Sequence, residues 1–325
     1  MNPFAPLIGS ELEAVEKVLH ETLTGSALEE HVNRLCLSMV DAGGKRIRPV
    51  TVLLCAHLLP DYNQERDLNK TLWLASAVEL LHTATLIHDD VIDNSSLRRG
   101  VRTINDTSGN HIAVLAGDYL FTRCFNLLRH LQSLDAMGEV SNTIATLVSG
   151  ELMQLEKQSC LELSEDDYRY TIYAKTGALF EMSASALAVV NHADEKVIAA
   201  LKAYGRAVGS AFQIVDDNLD YAADSEVLGK KAGIDLMDGR ITLPVILALK
   251  HTEDVKEQEA LKAAIEAGDF PAVKAAIDKC GALALSHQKA EAQADKAVQA
   301  LDIFPESAYK NALIELAKLT LSRKS

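Results

Sequence analysis

The sequence predicts an all-α fold in one large domain, and three observations carry the prediction. The chain has 7 prolines but none between Pro60 and Pro244, and a loop-rich fold would not avoid the residue for so long. Ala, Leu and Glu dominate, and apolar residues recur at i, i+3, i+4 and i+7, as at Leu74, Ala77, Val78 and Leu81. No period-2 alternation of useful length competes with that pattern.

The helices are marked off in order by polar and glycine-bearing breaks. DAGGKR (41–46) ends the first helical text, and LLPDYNQERD (58–67) precedes the apolar run LNKTLWLASAVELLHTATLIHDDVID. NSSLRRGVRTINDTSGN (94–110), LELSEDD (161–167) and YAADSEVLGKKAGIDLMDGR (221–240) separate the helices that follow. Helices in the middle of the chain are apolar around much of their circumference, and those at the C-terminal end are more amphipathic. No repeat or linker divides the chain, so residues 1–325 read as a single domain.

Composition excludes several classes of function. The 325 residues are 48% hydrophobic and 24% charged, as in soluble globular proteins. Thirty-two Lys and Arg against 46 Asp and Glu leave a net charge of -14, and aromatics are 5%, so a nucleic-acid partner is not expected. An anionic substrate must therefore meet a local basic patch or a metal ion, because the field of the whole molecule repels it. Cys36, Cys55, Cys124, Cys160 and Cys280 are scattered with no CxxC pair, which fits a reducing, cytoplasmic setting. Neither a targeting pattern nor an 18-residue apolar span is expected from the text.

Two copies of Asp-Asp-x-x-Asp stand in apolar helical text, at Asp89, Asp90 and Asp93 and at Asp216, Asp217 and Asp220. On a helix Asp89 and Asp93, like Asp216 and Asp220, are i and i+4 and project from one face. Carboxylates so close raise one another's pKa unless a cation neutralises them, and an all-oxygen set suits Mg²⁺, which can bridge to phosphate. Acidic helix ends facing water would not need flanks as apolar as TATLIH and SAFQIV. Three glycine-flanked basic segments accompany the motifs: GGKRIRP (43–49), RRG (98–100) and GKKAG (229–233), all placed in loops. Glycine lets backbone approach an anion, Lys supplies a point charge and Arg a two-pronged donor. No Walker A segment is present, which disfavours P-loop chemistry.

In their order, GGKRIRP, ELLHTATLIHDDVID, RRG, KTGALF, FQIVDDNLD, GKKAGIDL and ITLP resemble the trans-isoprenyl diphosphate (polyprenyl) synthases. The C-terminal text CGALALSHQKAEAQADKAVQALDIFP is similar to that family's closing helices. The resemblance implies a helical bundle around a deep central cavity, of the isoprenoid synthase type, with an aspartate motif on each of two facing helices. It also implies three Mg²⁺ ions that hold the diphosphate of an allylic substrate. Asp89, Asp93 and Asp216 match the family's metal ligands, and Asp90, Asp217 and Asp220 match further ligands or groups that orient them. Arg98, Lys175, Thr176, Gln213 and Lys230 match the allylic diphosphate site. Lys45, Arg48, His82 and Arg99 match a metal-free site for isopentenyl diphosphate. Together with the metal-binding aspartates, Lys175, Thr176, Gln213 and Lys230 make up the expected catalytic set.

The residue types suit the chemistry. Ionising an allylic C–O bond leaves a delocalised cation and a diphosphate, and Lys, Arg and Mg²⁺ stabilise the latter as it departs. The alkene of isopentenyl diphosphate attacks the cation, and the diphosphate product takes the last proton. The Thr176 hydroxyl and the Gln213 amide oxygen are dipoles suited to face that cation without quenching it. His82 lies two helical turns before Asp89, and His88 is expected to pack or orient rather than bind.

Ala84, Thr85 and Leu81 form the expected wall below the first motif. Short-chain members of the family tend to carry aromatics at the first two positions, so the wall here reads as open, with a floor deeper, at Leu147 or Met153. The open wall, together with a first motif that lacks the two-residue insertion typical of bacterial short-chain enzymes, implies a long product of octaprenyl size, such as a quinone side-chain precursor, and farnesyl diphosphate is the expected primer. A medium- or short-chain synthase (geranylgeranyl or farnesyl diphosphate), a class I terpene cyclase and a non-catalytic partner subunit are the alternatives. The family pattern is departed from at RRGVRT, at Arg240 in place of lysine and at Lys231 in place of proline. A homodimer, and transient membrane contact for release of an apolar product, are implied as well.

Overall fold

The computed structural model describes residues 3–25, 27, 29–222 and 232–322. Helices α1 (Ala5–Thr22) and α2 (Glu30–Asp41) lead to the Gly43–Gly44 turn, and α3 (Ile47–Ala56) begins directly after it. Arg48 therefore lies in the first turn of α3 and not in the loop in which the sequence placed it. Helix α4 (Gln64–Ile92) runs unbroken for 29 residues through the proline-free apolar text. The Asn63 side chain caps it by accepting from the Arg66 N–H at 3.1 Å, and Glu65 and Asp67 complement the positive end of its dipole.

Beyond α4 the chain makes a two-stranded antiparallel ladder, β1 (Leu97–Arg98) with β2 (Val101–Arg102). Its turn residues Arg99 and Gly100 both have positive φ, 52° and 80°, as a two-residue hairpin requires. A ladder this short leaves no alternation for a sequence pattern to register. Then come α5 (Ile104–Ser108), α6 (Asn110–Arg129), α7 (Leu134–Glu156) and α8 (Glu165–Ile172). Helix α8 starts on a capping box between Ser164 and Asp167. A five-residue π-helix, Tyr173–Gly177, joins it to α9 (Ala178–Val190), and α10 (Glu195–Ala222) follows. The described chain is completed by α11 (Ile234–Met237), α12 (Leu243–His251), α13 (Val255–Glu266), α14 (Phe270–Cys280), α15 (Ala282–Ala300) and α16 (Ala308–Leu321). The all-α prediction holds, and no helix among the described residues is long and apolar enough to cross a membrane.

Contacts divide the chain into two compact units. The first comprises Met1–Ser141, Met182–Leu201 and Phe304–Leu313. Its spine is α4, which packs on α6, α3 and α1 and buries Leu74, Leu80, Leu81 and Ile87. Gly117 of α6 makes the closest approach possible, since a Cβ there would stand 2.3 Å from His88 Nε2. The second unit comprises Asn142–Glu181, Lys202–Ile303 and Ile314–Ser325. Its core gathers Tyr168 and Ile172 of α8, Ile214 and Tyr221 of α10, Val245 of α12 and Ile277 of α14.

Candidate active site

In the first unit the acidic motif ends α4, with Asp93 as its C-cap. Asp89 is half-buried and Asp93 exposed, one turn apart on one face, whereas Asp90 is buried with 1% exposure. Asp90 Oδ1 accepts from Arg98 Nε at 2.7 Å and Nη2 at 2.6 Å. Burial pushes the Asp90 carboxyl above its usual range and Arg98 opposes the shift, while its Oδ2 is buried without a hydrogen-bond partner. The middle aspartate thus grips an arginine of the hairpin. The backbone behind it is pinned: Asn105 Nδ2 donates to the carbonyls of Asp90 at 3.1 Å and Ser95 at 2.9 Å, and Thr103 Oγ1 donates to Ser95 O at 2.7 Å. His88 is taken up by α6, with Nε2 3.1 Å from the Val114 carbonyl and 3.4 Å from Asp118 Oδ1.

The basic residues of this unit meet at His82. Its imidazole is held well below its ordinary pKa, first by burial and then by the charges of Arg48, Arg99, Arg98 and Arg46. The ring is therefore neutral at pH 7 and retains one N–H to donate. Arg99 is pushed below its usual value by burial, against the Glu79 carboxylate, with Arg46 and Arg98 adding to the shift. Burial is the larger cause of both shifts, and the arginines that add to them group positive charge around His82 in a chain whose net charge is -14, as an anionic substrate requires. Lys45 is exposed on the turn before Arg46. Leu81 and Ala84 of the expected wall are fully buried on α4, and the half-buried Thr85 donates to the His82 carbonyl at 2.8 Å. Further along this unit, Leu74, Ala77 and Val78 of α4 help to line an apolar void of about 10 Å³ with Leu128, Val140 and Met182.

In the second unit the second acidic motif occupies the last turns of α10. Asp216 is exposed. Asp217 is buried and accepts from Tyr168 Oη at 2.6 Å and Gln213 Nε2 at 2.8 Å. Burial, then the Asp235 charge, holds its carboxyl well above the usual range, against the bonds from Tyr168 and Gln213. Asp220 accepts the N–H groups of Gly233 and Ile234 at 3.1 Å and of Asp235 at 3.0 Å, and so anchors the start of α11. As in the first motif, the three carboxylates divide: Asp216 faces out, and its two companions tie the surrounding structure together.

Sequence reasoning missed Asp235. Burial pushes its carboxyl up to about 6, with Arg240 opposing and the charges of Asp220 and Asp216 adding to the rise, so it belongs to the acidic cluster. Its separation from Asp220 in the chain has no helical register, and only the fold of 232–240 brings it in. Arg240 Nε donates to Asp235 Oδ1 at 3.0 Å, and its Nη2 pairs with Asp238. The arginine that departs from the family pattern is thus engaged by two carboxylates.

Lys175 lies in the π-helix, a feature common at functional sites, and its Nζ is 2.8 Å from Gln154 Oε1 and 3.1 Å from Glu151 Oε2. Thr176 Oγ1 donates to Gln213 Oε1 at 2.7 Å, which completes a chain from Thr176 through Gln213 and Asp217 to Tyr168. Because the Thr176 proton is committed to Gln213, the threonine oxygen keeps its lone pairs for an electron-poor neighbour. Lys230 and the remaining basic residue of that loop, Lys231, lie outside the described residues.

No three of His, Cys, Asp and Glu among the described residues converge into a ready-made metal cage. Asp89, Asp93 and Asp216 offer only carboxylate oxygens that are half-buried or exposed, a donor chemistry that fits Mg²⁺, which is commonly held by one or two carboxylates plus substrate phosphates.

Paired Asp-Asp-x-x-Asp helix ends, a cationic cluster around a neutral histidine and a buried hydroxyl–amide–carboxylate chain are the equipment of an enzyme that handles diphosphates. Residues 29–280 match the Polyprenyl synthetase family, and the chain belongs to it. It is 36% identical to the octaprenyl diphosphate synthase of Escherichia coli over 321 residues, which covers 98% of this chain and 97% of that one. It is 37% identical to a geranyl-diphosphate-specific all-trans-nonaprenyl-diphosphate synthase of Rhodobacter capsulatus, covering 97% and 96% of the two chains. Its fold is similar to that of a Caulobacter crescentus polyprenyl synthase complexed with calcium and isoprenyl diphosphate. The TM-score is 0.89 at 35% identity, with 99% and 97% of the two chains covered. The protein is a trans-prenyltransferase.

Proposed function

We propose that the protein condenses isopentenyl diphosphate with an allylic diphosphate, farnesyl diphosphate first among them, to give a long-chain all-trans polyprenyl diphosphate of octaprenyl class. The observation that carries this reading is the convergence of Arg48, Arg98 and Arg99 on a neutral His82, on the helix whose last turn bears Asp89. Asp89, Asp93 and Asp216 hold Mg²⁺ in this reading, and the ion, when bound, supplies Lewis-acid stabilisation to the departing diphosphate. Residues 1–325 act as one catalytic domain in this reading.

Arg98, aimed by Asp90, and Lys175, held by Glu151 and Gln154, bind that diphosphate together with Lys230. Lys45, Arg48, Arg99 and the His82 N–H bind isopentenyl diphosphate. Thr176 and Gln213 present oxygen lone pairs to the allylic cation, and Asp217 and Tyr168 fix the amide that orients them. Asp220 and Asp235 set the position of α11 beside Asp216. Ala84 is small and lies on the helix that bears Asp89, which suits an open wall and a long product such as a quinone side-chain precursor. A cytoplasmic homodimer that meets membranes transiently completes the proposal.

The test is incubation with isopentenyl diphosphate, Mg²⁺ and either farnesyl or geranyl diphosphate, with product length read by mass. Octaprenyl-class product from the wild type and none from Asp89→Ala supports the reading. A product of geranylgeranyl size or shorter, or a cyclised hydrocarbon, replaces it with one of the alternatives. Undiminished elongation by Asp89→Ala removes the metal role of the first motif.

A further inference from the structure

The turn that carries Lys45 is fastened from within by its neighbour Arg46. Arg46 adopts φ 48° and ψ 35°, a left-handed conformation seldom taken by a residue other than glycine, and forms the N-cap of α3. Its guanidinium grips Glu16 of α1 with two prongs, Nε to Oε1 at 2.6 Å and Nη2 to Oε2 at 3.0 Å. Nη1 donates to Glu79 Oε1 of α4 at 2.8 Å, and Nη2 also donates to the Val40 carbonyl of α2 at 2.9 Å. The Arg46 side chain is only 12% exposed and that of Glu79 only 3%. One residue thus ties the turn to α1, α2 and α4, and its N–H fork is committed to protein partners.

Glu79 stands one helical turn before His82, so the fixed point lies beside the imidazole. Arg99 rests on the other part of the same turn. It donates to the Gly43 carbonyl, and its Nη1 would be 2.9 Å from a Cβ at Gly44, so a side chain there would displace it. Lys45 and Arg48, on either side of Arg46 in the chain, therefore inherit their distance from His82 from this clamp.

We propose that Arg46 is a positioning residue for isopentenyl diphosphate: clamped by Glu16 and Glu79, it sets the Lys45–Arg48 turn against His82 and Arg99. The inference rests on the assignment of that substrate to those four residues. Lysine would keep the charge but could not span two carboxylates and a carbonyl with a planar fork.

The experiment measures KM for each substrate separately, with unfolding temperature, in the wild type, Arg46→Met, Arg46→Lys and Glu16→Gln. Arg46→Met is expected to raise KM for isopentenyl diphosphate about tenfold and to leave KM for the allylic diphosphate within about twofold. Arg46→Lys should recover part of the loss. A purely structural role would lower kcat or unfolding temperature without separating the two KM values. An unchanged KM for isopentenyl diphosphate, or an equal rise in both, overturns the proposal. If Arg46→Met does not fold, the half-exposed Glu16→Gln change reads the same split, with the same two outcomes deciding. Failure of the wild type to elongate removes the substrate assignment itself, whereas elongation with unsplit KM values removes only the role of Arg46.

Discussion

Replacing Asp90 with asparagine separates a metal ligand from an arginine holder. At an effective dielectric of about 20, a carboxylate and a guanidinium about 4 Å apart attract by about 4 kcal/mol. Two costs oppose that gain. Burial pushes the Asp90 carboxyl upward, and its Oδ2 has no hydrogen-bond partner, a deficit of about 1–3 kcal/mol. The pair with Arg98 therefore nets about 1–3 kcal/mol, of which asparagine keeps the share of one neutral acceptor, about 1 kcal/mol. The remaining loss of about 0–2 kcal/mol, with a midpoint of about 1 kcal/mol, corresponds to about a fivefold weakening and at most about a thirtyfold one. KM for the allylic diphosphate should rise by roughly that factor while the Mg²⁺ concentration for half-maximal rate stays within about twofold. Asp89→Asn, assayed in parallel by the same Mg²⁺ titration, should shift that midpoint and collapse kcat. If Asp90→Asn instead moves the Mg²⁺ midpoint as Asp89→Asn does, Asp90 is a ligand and the argument from its burial and its Arg98 bonds is wrong.

Two further outcomes follow from the first unit. Ala84→Phe places a ring at the proposed wall on α4, so the mass spectrum of products should shift to shorter polyprenyl diphosphates, with overpacking of this buried position costing about 1–3 kcal/mol of stability, and an unchanged length would remove Ala84 from the wall. Asp67 is held down to about 2, chiefly by the Arg66 side chain, with burial opposing and the Asn63 N–H and Lys70 assisting. Its folded pKa is thus below the unfolded value of about 3.9, so the stabilisation is present above that pH and is lost as pH falls through about 2. Thermal melts across that window should show a smaller loss for Asp67→Asn than for the wild type, and parallel curves would refute the link.

What the sequence determined by itself lies along single helices. Absence of proline and a 3.6-residue apolar period are local properties, and they specify α4 and α10 with their aspartate motifs because a helix makes all its backbone bonds within its own segment. The i, i+4 relation of Asp89 and Asp93 follows from the same geometry. The order of GGKRIRP, RRG, KTGALF and FQIVDDNLD carried the family resemblance, and the Polyprenyl synthetase match bears it out.

Tertiary structure alone decided what each charged group touches. Nothing in Asp-Asp-x-x-Asp says that Asp90 turns to Arg98 while Asp217 turns to Tyr168, because the partners come from a hairpin and from another helix. The ladder at 97–102 is too short for a period-2 signal, and the π-turn at Lys175 differs from ordinary helix only in which carbonyl each N–H reaches. Asp235 and Arg46 escaped notice for one reason: their partners Asp220, Glu16 and Glu79 lie 15, 30 and 33 residues away along the chain. Charge interactions depend on separation and burial in space, and neither quantity is written in residue order.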